Sequence, residues 1–597
     1  MKIEEYGFIG DMHTGALVSI DGSVDWLCVP RFDSPACFAA LLGTPSNGCW
    51  RIAPAAEVRR RLQRYRQDSM VLETEFETDT GTVKVVDCMP VRGRHRQVMR
   101  VVEGIAGEVP MCLRLLIRLD YGETVPWVQH MGGGILAVAG PDALLLRSEI
   151  ETRGENLTTV AEFTVKAGET KAFVLTCYPS HESPPDPVDV RRAVEHTDLF
   201  WREWAARCSF SGQWREKVVR SLLTLKALTY APTGGILAAA TTSLPERIGG
   251  VRNWDYRFCW LRDATFTLFA LLGAGYTEEA QAWIRWLLRA VAGDPSQLQI
   301  LYGAAGERML KEVELSHLDG YERSRPVRIG NAASEQFQLD IYGEIMDAMH
   351  LARNHGVHLG EAAWRLQRHL VDFVERHWTE PDEGIWEIRG GRRHFTHSKI
   401  MAWVAVDRAV KDVEQFNLEG DLSRWRELRR RMHEEICAKG YHPGCGAFTQ
   451  YYGTDRLDSS LLMIPLVGFL PASDERVVRT VEAIQRELTH DGFVYRYDPE
   501  ESRQVDGLPP GEGVFLPCTY WLIDCLHLMG RKEDARRLFD RLMRVPNHLG
   551  LLSEEYDPAA KRFLGNFPQA FTHVGLVNTV QNLREEASGP AAVRAVS

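Results

Sequence analysis

The sequence has no run of apolar residues long enough to span a bilayer; even the stretch at 266–272 is short and ends in glycine. It also lacks an apolar leader, because Met1, Lys2, Ile3, Glu4, Glu5 and Tyr6 place two carboxylates where a secretory signal needs hydrocarbon. A cytoplasmic protein with no membrane partner is expected. Basic excess is missing as well: 70 Lys and Arg stand against 81 Asp and Glu, a net charge of −11, which gives nucleic acid nothing to bind. The 12 cysteines, from Cys28 to Cys525, show no close pairing and no neighbouring His pattern, so no metal site is expected and reduced, buried thiols are.

What is present fits a soluble enzyme. The 597 residues are 45% hydrophobic and 25% charged, too many for one ordinary core, so either several domains or one large barrel with an appendage is expected. Sixteen Trp and 17 Tyr provide flat rings that stack on sugar faces, though rings equally fill large cores.

Two periods divide the chain. Over 70–178 apolar and polar residues alternate in short runs, with hairpins expected through Asp79, Thr80 and Gly81, through Gly140, Pro141 and Asp142, and through Ala167, Gly168 and Glu169. Three hairpins imply an antiparallel β-sandwich over 1–182. After the proline-rich break at 183–187 and a helical linker over 183–211, the period becomes helical to residue 597. Thr277, with Glu278 and Glu279 behind it, reads as the N-cap of a helix whose apolar face carries Trp283, Trp286, Leu287 and Ala290. Roughly twelve helices are expected from 212 onward. Their connections alternate: short near Gly275, 355–358, Pro471 and Gly530, long near 231–261, 293–332, 378–396, 439–456, 490–513 and 544–568. In a closed ring of helical hairpins this alternation gathers all long loops at one end, where a pocket can form. The fold class is therefore multidomain α+β, a β-sandwich followed by an (α/α)6 barrel. A stacked solenoid is the rival, without a repeated motif to support it.

The long loops carry the chemistry. One ends in Asn253, Trp254, Asp255, Tyr256, Arg257, Phe258, Cys259, Trp260, Leu261, Arg262, Asp263, a mixture of rings, guanidinium forks and carboxylates that suits sugar hydroxyls, or equally an Arg–Asp pair buried under tryptophans. Another holds Gly384, Ile385, Trp386, Glu387, Ile388, whose apolar flanks would desolvate the Glu387 carboxyl as a general acid requires. The last carries Ser553, Glu554, Glu555, Tyr556 and Asp557, acids that offer a general base or merely a charged turn. Asp340 and Glu344, four apart at the start of a helix, suit a pocket floor or helix bracing equally.

In their order along the chain these strings resemble glycoside hydrolase family 15, the glucoamylase and trehalase group, and within it the bacterial trehalase-like branch. The opening Tyr6 to Asp11, Asp21 to Leu27 and Pro30 to Ser34, the run Ser324 to Ala333, and Gly565 to Phe571 resemble that branch too, so the resemblance covers nearly the whole chain. It implies that Glu387 is the general acid, that Glu554 is the general base, and that Trp260, Arg262 and Asp263 hold the nonreducing glucose. Trp254, Trp386 and Glu555 are expected to contact sugar, with Asp340, Glu344 and Tyr556 supporting the pocket. In starch-acting relatives a second Glu follows the acid and Gln follows the base; here Ile388 and Glu555 stand there, which weakens the starch reading. The implied activity is inverting hydrolysis of an α-glucoside, trehalose first, with maltose, isomaltose or glycogen fragments as the alternative. A disaccharide phosphorylase and a non-catalytic sugar-binding protein are the remaining readings. No cofactor is expected to be required; stimulation by phosphate or magnesium, and a homo-oligomer, enter through the resemblance alone.

Overall fold

The computed structural model describes residues 1–91, 93–501 and 505–584; the expected end of the helical domain, 585–597, and residues 502–504 of one long loop lie outside them. The amino-terminal part of the chain, residues 6–179, forms one 15-stranded antiparallel sheet among the described residues. Its organising strand is Arg96–Leu116. The first part of that strand pairs with Gly81–Cys88 and Thr170–Pro179, the second with Cys49–Pro54 and Thr158–Lys166. Strands of the two halves also touch without pairing, Tyr6–Gly10 against Leu72–Thr78 for instance, so the sheet doubles back on itself.

Two of the expected hairpins are present, Leu72–Thr78 with Gly81–Cys88 and Gly134–Ala139 with Asp142–Ser148. The third is not. Thr158–Lys166 and Thr170–Pro179 both pair with Arg96–Leu116 rather than with each other, because that strand bends between them. At the bend a Cβ on Gly104 would lie 2.0 Å from the Lys166 carbonyl oxygen, so only glycine admits the crossing.

The last strand ends at Pro179, and the helix Val190–Ala206 precedes the helical part. There six helices, Leu261–Gly273, Asp340–Asn354, Thr396–Phe416, Ser459–Leu462 continuing into Met463–Leu466, Leu516–Leu528 and Ala570–Asn582, each pack against the next, and the last returns to the first. Six more, Arg215–Ala227, Thr277–Ala290, Gly360–His377, Leu422–Gly440, Glu475–Glu487 and Lys532–Leu542, lie outside them. The inner helices are buried almost all round, as in 400–410, whereas an outer one buries a single stripe such as Val477, Thr480, Val481 and Ile484. Thr277 is the first helical residue rather than the cap, since Tyr276 takes that position without a side-chain bond. Each inner helix follows a long connection, and the first five precede a short one, so all six start at the same end of the ring.

The sheet buttresses that end. Trp26 donates through Nε1 to the Ala240 carbonyl at 2.8 Å, and Asn547 donates to the carbonyls of Glu4 and Tyr6 at 3.1 Å. One continuous core joins the two parts. The twelve cysteines are unpaired, and all but Cys112, Cys208, Cys437 and Cys445 are buried.

Candidate active site

A cavity of about 750 Å³, open at its mouth, lies where the inner helices begin. Five of the six long loops wall it, with Trp254, Tyr256 and Trp260 from 228–260, Asn331 from 291–339, Trp386 and Glu387 from 378–395, Arg496 and Asp506 from 488–515, and Gln569 from 543–569. The sixth loop acts indirectly: its last residue, Asp458, accepts the Trp386 indole N–H at 2.9 to 3.0 Å.

Glu387 sits in the left-handed region at φ +56°, a conformation that costs a β-carbon-bearing residue about 1 kcal/mol or more and persists only where surroundings enforce it. Here Gln336 donates to the Glu387 and Ile388 carbonyls at 3.2 and 3.1 Å, and Arg262 donates to the Ile385 carbonyl at 2.8 Å. The carboxylate accepts the Trp260 indole N–H at 2.6 Å and lies 3.4 Å from Arg262. The apolar isolation expected from its flanking residues is absent, because loop 228–260 and the start of the next helix bring donors to the carboxylate, while Ile388 is buried and Ile385 shares the cavity wall. Beside it, burial lifts the Asp263 carboxyl to about 6, with Arg262 pulling it down and Glu387 pushing it up.

Glu554 is only 1% exposed. Its Oε2 accepts the Asn566 N–H at 3.0 Å, whereas Oε1 is buried with no hydrogen-bond partner among the described residues. Gly565 is at φ +69°, and a Cβ there would stand 2.5 Å from Glu554 Oε2, so glycine lets the chain close over the carboxylate. From the other side His573 Nε2 accepts the Leu552 N–H at 3.2 Å while Nδ1 meets Ser221 Oγ at 2.9 Å; the backbone donor fixes the tautomer with its proton on Nδ1. Burial, then Glu246, pushes the Glu554 carboxyl up to about 8 against Arg496, the Asn566 N–H and Tyr256. The Tyr256 phenol is raised by burial and then by the charges of Glu554, Glu246 and Glu387.

Around Arg496 the cavity wall becomes densely charged. Its Nη2 lies 3.0 Å from Glu246, 3.0 Å from Glu512 and 2.8 Å from Glu555. Arg252 reaches Asp506 at 2.6 Å and Glu512 at 3.1 Å, and Tyr497 donates to Asp506. Glu246, Glu512 and Glu555 bring carboxylate oxygens within 4.8 Å of one another, the spacing of a metal site, but the guanidinium already serves all three.

With that geometry in view, comparison with known proteins is informative. The family model "Glycosyl hydrolases family 15" matches residues 212–581, and "Trehalase-like, N-terminal" matches 1–197. The chain is similar to the trehalase of Mycolicibacterium smegmatis, 39% identical over 97% of this chain and 90% of that one. It is similar also to the trehalase of Thermoplasma volcanium, 33% identical over 98% and 94%. Among solved structures, a bacterial glucoamylase complexed with acarbose shares the fold, with TM-score 0.73 at 13% identity over 98% of this chain and 94% of that one. The chain belongs to glycosyl hydrolase family 15.

Within this glycoside hydrolase the residues singled out from sequence take different places. Trp254, Trp260, Arg262, Asp263, Trp386 and Glu387 wall the cavity. The Trp254 ring carries the Arg389 and Arg328 guanidiniums at 4.6 and 4.7 Å, and its N–H goes to Glu246 at 3.2 Å. Glu555 is fully buried, giving one oxygen to Arg496 and the other to the Gly513 N–H at 2.9 Å, so it stands behind the wall rather than on it. Tyr556 packs on Phe493 and Phe563, away from the cavity. Asp340 and Glu344 are buried in the Asp340–Asn354 helix and reach no cavity wall; the Asp340 carboxyl is lifted by burial to about 6 and faces Arg262.

The first string splits into two functions. Arg262 and Asp263 belong to the cavity, whereas fully buried Arg257 binds Asp255 at 2.6 Å, the Ser34 carbonyl at 3.0 Å and the Cys28 thiol at 3.4 Å, tying the sheet to the ring. Glu246, Arg252, Tyr256, Arg496, Asp506 and Glu512 were not singled out as site residues. Only Tyr256, inside the string Asn253 to Asp263, carries a local signal.

Proposed function

We propose that the chain is an inverting α,α-trehalase in which Glu387 is the general acid and Glu554 the general base. The observation that carries this reading is that Glu387 stands on the cavity wall, held by Trp260, whose ring packs edge-on to the wall residue Tyr256 at 5.1 Å, while Glu554 on a second loop is buried with its Oε1 left without a hydrogen-bond partner among the described residues. Glu387 protonates the glycosidic oxygen as the bond to the anomeric carbon breaks. Glu554 takes a proton from a water whose oxygen bonds to that carbon from the opposite face, a geometry that needs the carboxyls roughly 6.5 to 9.5 Å apart. Arg262 and Asp263, beside the acid, hold hydroxyls of the nonreducing glucose.

Trehalose as substrate is supported by the similarity to two trehalases over nearly the full chain. In this reading residues 1–182 form a β-sandwich domain, 183–211 a helical linker, and 212–597 an (α/α)6 barrel, a proposal supported by the closed ring and the fold shared with a glucoamylase. The enzyme is cytoplasmic and needs no cofactor or metal; among the described residues no helix is long and apolar enough to cross a membrane. Incubation with trehalose, maltose and isomaltose, with the first-formed anomers followed by NMR, tests it. Equal α- and β-glucose from trehalose is expected at early times. Faster release from maltose transfers the assignment to a glucoamylase-type enzyme, and α-anomer alone contradicts inversion.

A further inference from the structure

Asp263, Arg262 and Glu387 follow one another along the cavity wall, Asp263 3.3 Å from Arg262 and Arg262 3.4 Å from Glu387. Their side chains are 8, 12 and 17% exposed, and that of Arg389, on the same wall, is 31% exposed. The order runs from floor to mouth, with Asp263 and Arg262 deepest, Glu387 next and Arg389 outermost. A disaccharide with its nonreducing glucose on Arg262 and its glycosidic oxygen on Glu387 therefore carries its leaving sugar past Arg389.

The backbone delivers Arg389 to that place. Ile388 is buried, and its two neighbours, Glu387 and Arg389, both return to the cavity. Two residues span at most about 7 Å, comparable to the width of a pyranose ring. The Arg389 backbone N–H donates to the Asp506 carbonyl at 3.0 Å, its Nη2 to Glu312 at 2.9 Å, and its guanidinium lies 4.6 Å from the centre of the Trp254 ring. Glu312 is itself tied down by the Ala332 N–H at 3.2 Å and by Arg328 at 3.7 Å. Four long loops thus aim one fork. Only its Nη2 is committed, since Nε and Nη1 meet no acceptor among the described residues. A guanidinium held in this way, with N–H groups to spare, suits the hydroxyl oxygens of a neutral sugar.

We propose that Arg389 is a specificity-determining residue that donates to hydroxyls of the leaving sugar, so that the cavity prefers glucosides whose leaving group is itself a pyranose. The inference rests on the reading of Glu387 as the general acid, which puts the scissile bond between Arg262 and Arg389. The rival role is a clamp between loops. Losing a clamp harms every substrate alike, whereas losing a sugar contact harms only substrates that carry the second sugar.

The test compares full-length wild type with Arg389→Gln on two substrates. One is trehalose, or maltose should that be the better disaccharide; the other is α-glucosyl fluoride, with the same glucose but fluoride in place of the second sugar. The loss of kcat/KM on the disaccharide is expected to exceed the loss on the fluoride by about tenfold or more, the usual worth of a hydrogen bond from a charged donor. Equal losses on both substrates, a larger loss on the fluoride, or no loss on either overturns the inference. Should Arg389→Gln fail to fold, Arg389→Lys takes its place; lysine keeps the charge and lacks the planar fork, and the same excess is expected. Glu387→Gln separates the two layers. If the fluoride restores none of its rate, the acid assignment fails and the inference with it. If the fluoride does restore it while the Arg389 variant loses equally on both substrates, only the present inference falls.

Discussion

Trp260 Nε1 donates a 2.6 Å hydrogen bond to Glu387 Oε1, joining the start of one inner helix to a residue held at positive φ on a separate loop. The contact aims the carboxylate and helps to hold a backbone conformation that a glutamate does not choose by itself. Trp260→Phe keeps the ring and removes the donor. A fall in kcat of about 10- to 100-fold is expected, with thermal stability nearly unchanged; steady-state kinetics beside a melting curve checks this.

If Glu387 and Glu554 are the acid and the base proposed, removing either carboxyl should cost about 10² to 10⁴ in rate. The two losses differ in kind. With α-glucosyl fluoride, whose leaving group needs no proton, Glu387→Gln should recover much of its rate and Glu554→Gln should not. Equal recovery in both variants would exclude the assigned roles.

The Glu554 carboxyl, near 4.5 when unperturbed and about 8 in the fold, binds its proton more tightly folded than unfolded. Its contribution to stability is therefore complete below about pH 4.5 and is lost as pH rises through about 8. Glu554→Gln lacks this loss, so its melting temperature should climb relative to wild type across that window, by about 2 to 4 °C for each kcal/mol. A constant difference from pH 4.5 to 8.5 contradicts the prediction.

His573 gives the opposite slope. Burial and Arg220 lower it from 6.5 to about 3, so stability is complete above about 6.5 and declines as pH falls toward 3. His573→Leu should flatten the acid side of the stability curve. It should also lower kcat, since the Leu552 N–H loses its acceptor and the Glu554 loop its anchor.

Gly565→Ala places a methyl group 2.5 Å from Glu554 Oε2 at a backbone φ of +69°. A loss of about 1 kcal/mol or more in stability is expected, together with at least a 100-fold fall in kcat/KM. Denaturant unfolding and kinetics on one preparation measure both.

How much of this was legible in the sequence depends on how local each signal is. Glu387 and Glu554 each lie in a short string with a fixed neighbour, and alternating connection lengths put both on loops at one end of the helices, where Glu387 walls the cavity and Glu554 is buried. The Arg496 cluster offered no such string, because Glu246, Arg252, Asp506, Glu512 and Glu555 come from three loops that meet only once the ring closes. Glu555 was misread as a sugar contact for a reason strand geometry supplies: successive residues of an extended strand point opposite ways, and its carboxylate is committed to Arg496 and Gly513. The third hairpin failed because pairing with a distant bent strand outweighed pairing across a turn.

Arg257 lies three positions before Trp260, and its guanidinium rests on Ser34 and Cys28 and near the ring of Trp26, all from the opening of the chain, and near the ring of Tyr121. An expression product starting at residue 212 would leave that cation facing solvent or an empty slot, at the root of the segment that aims the acid. In this hydrolase the opening residues thus seat a cation at the root of a loop encoded more than two hundred residues later, and ribosomal synthesis delivers them in the right order.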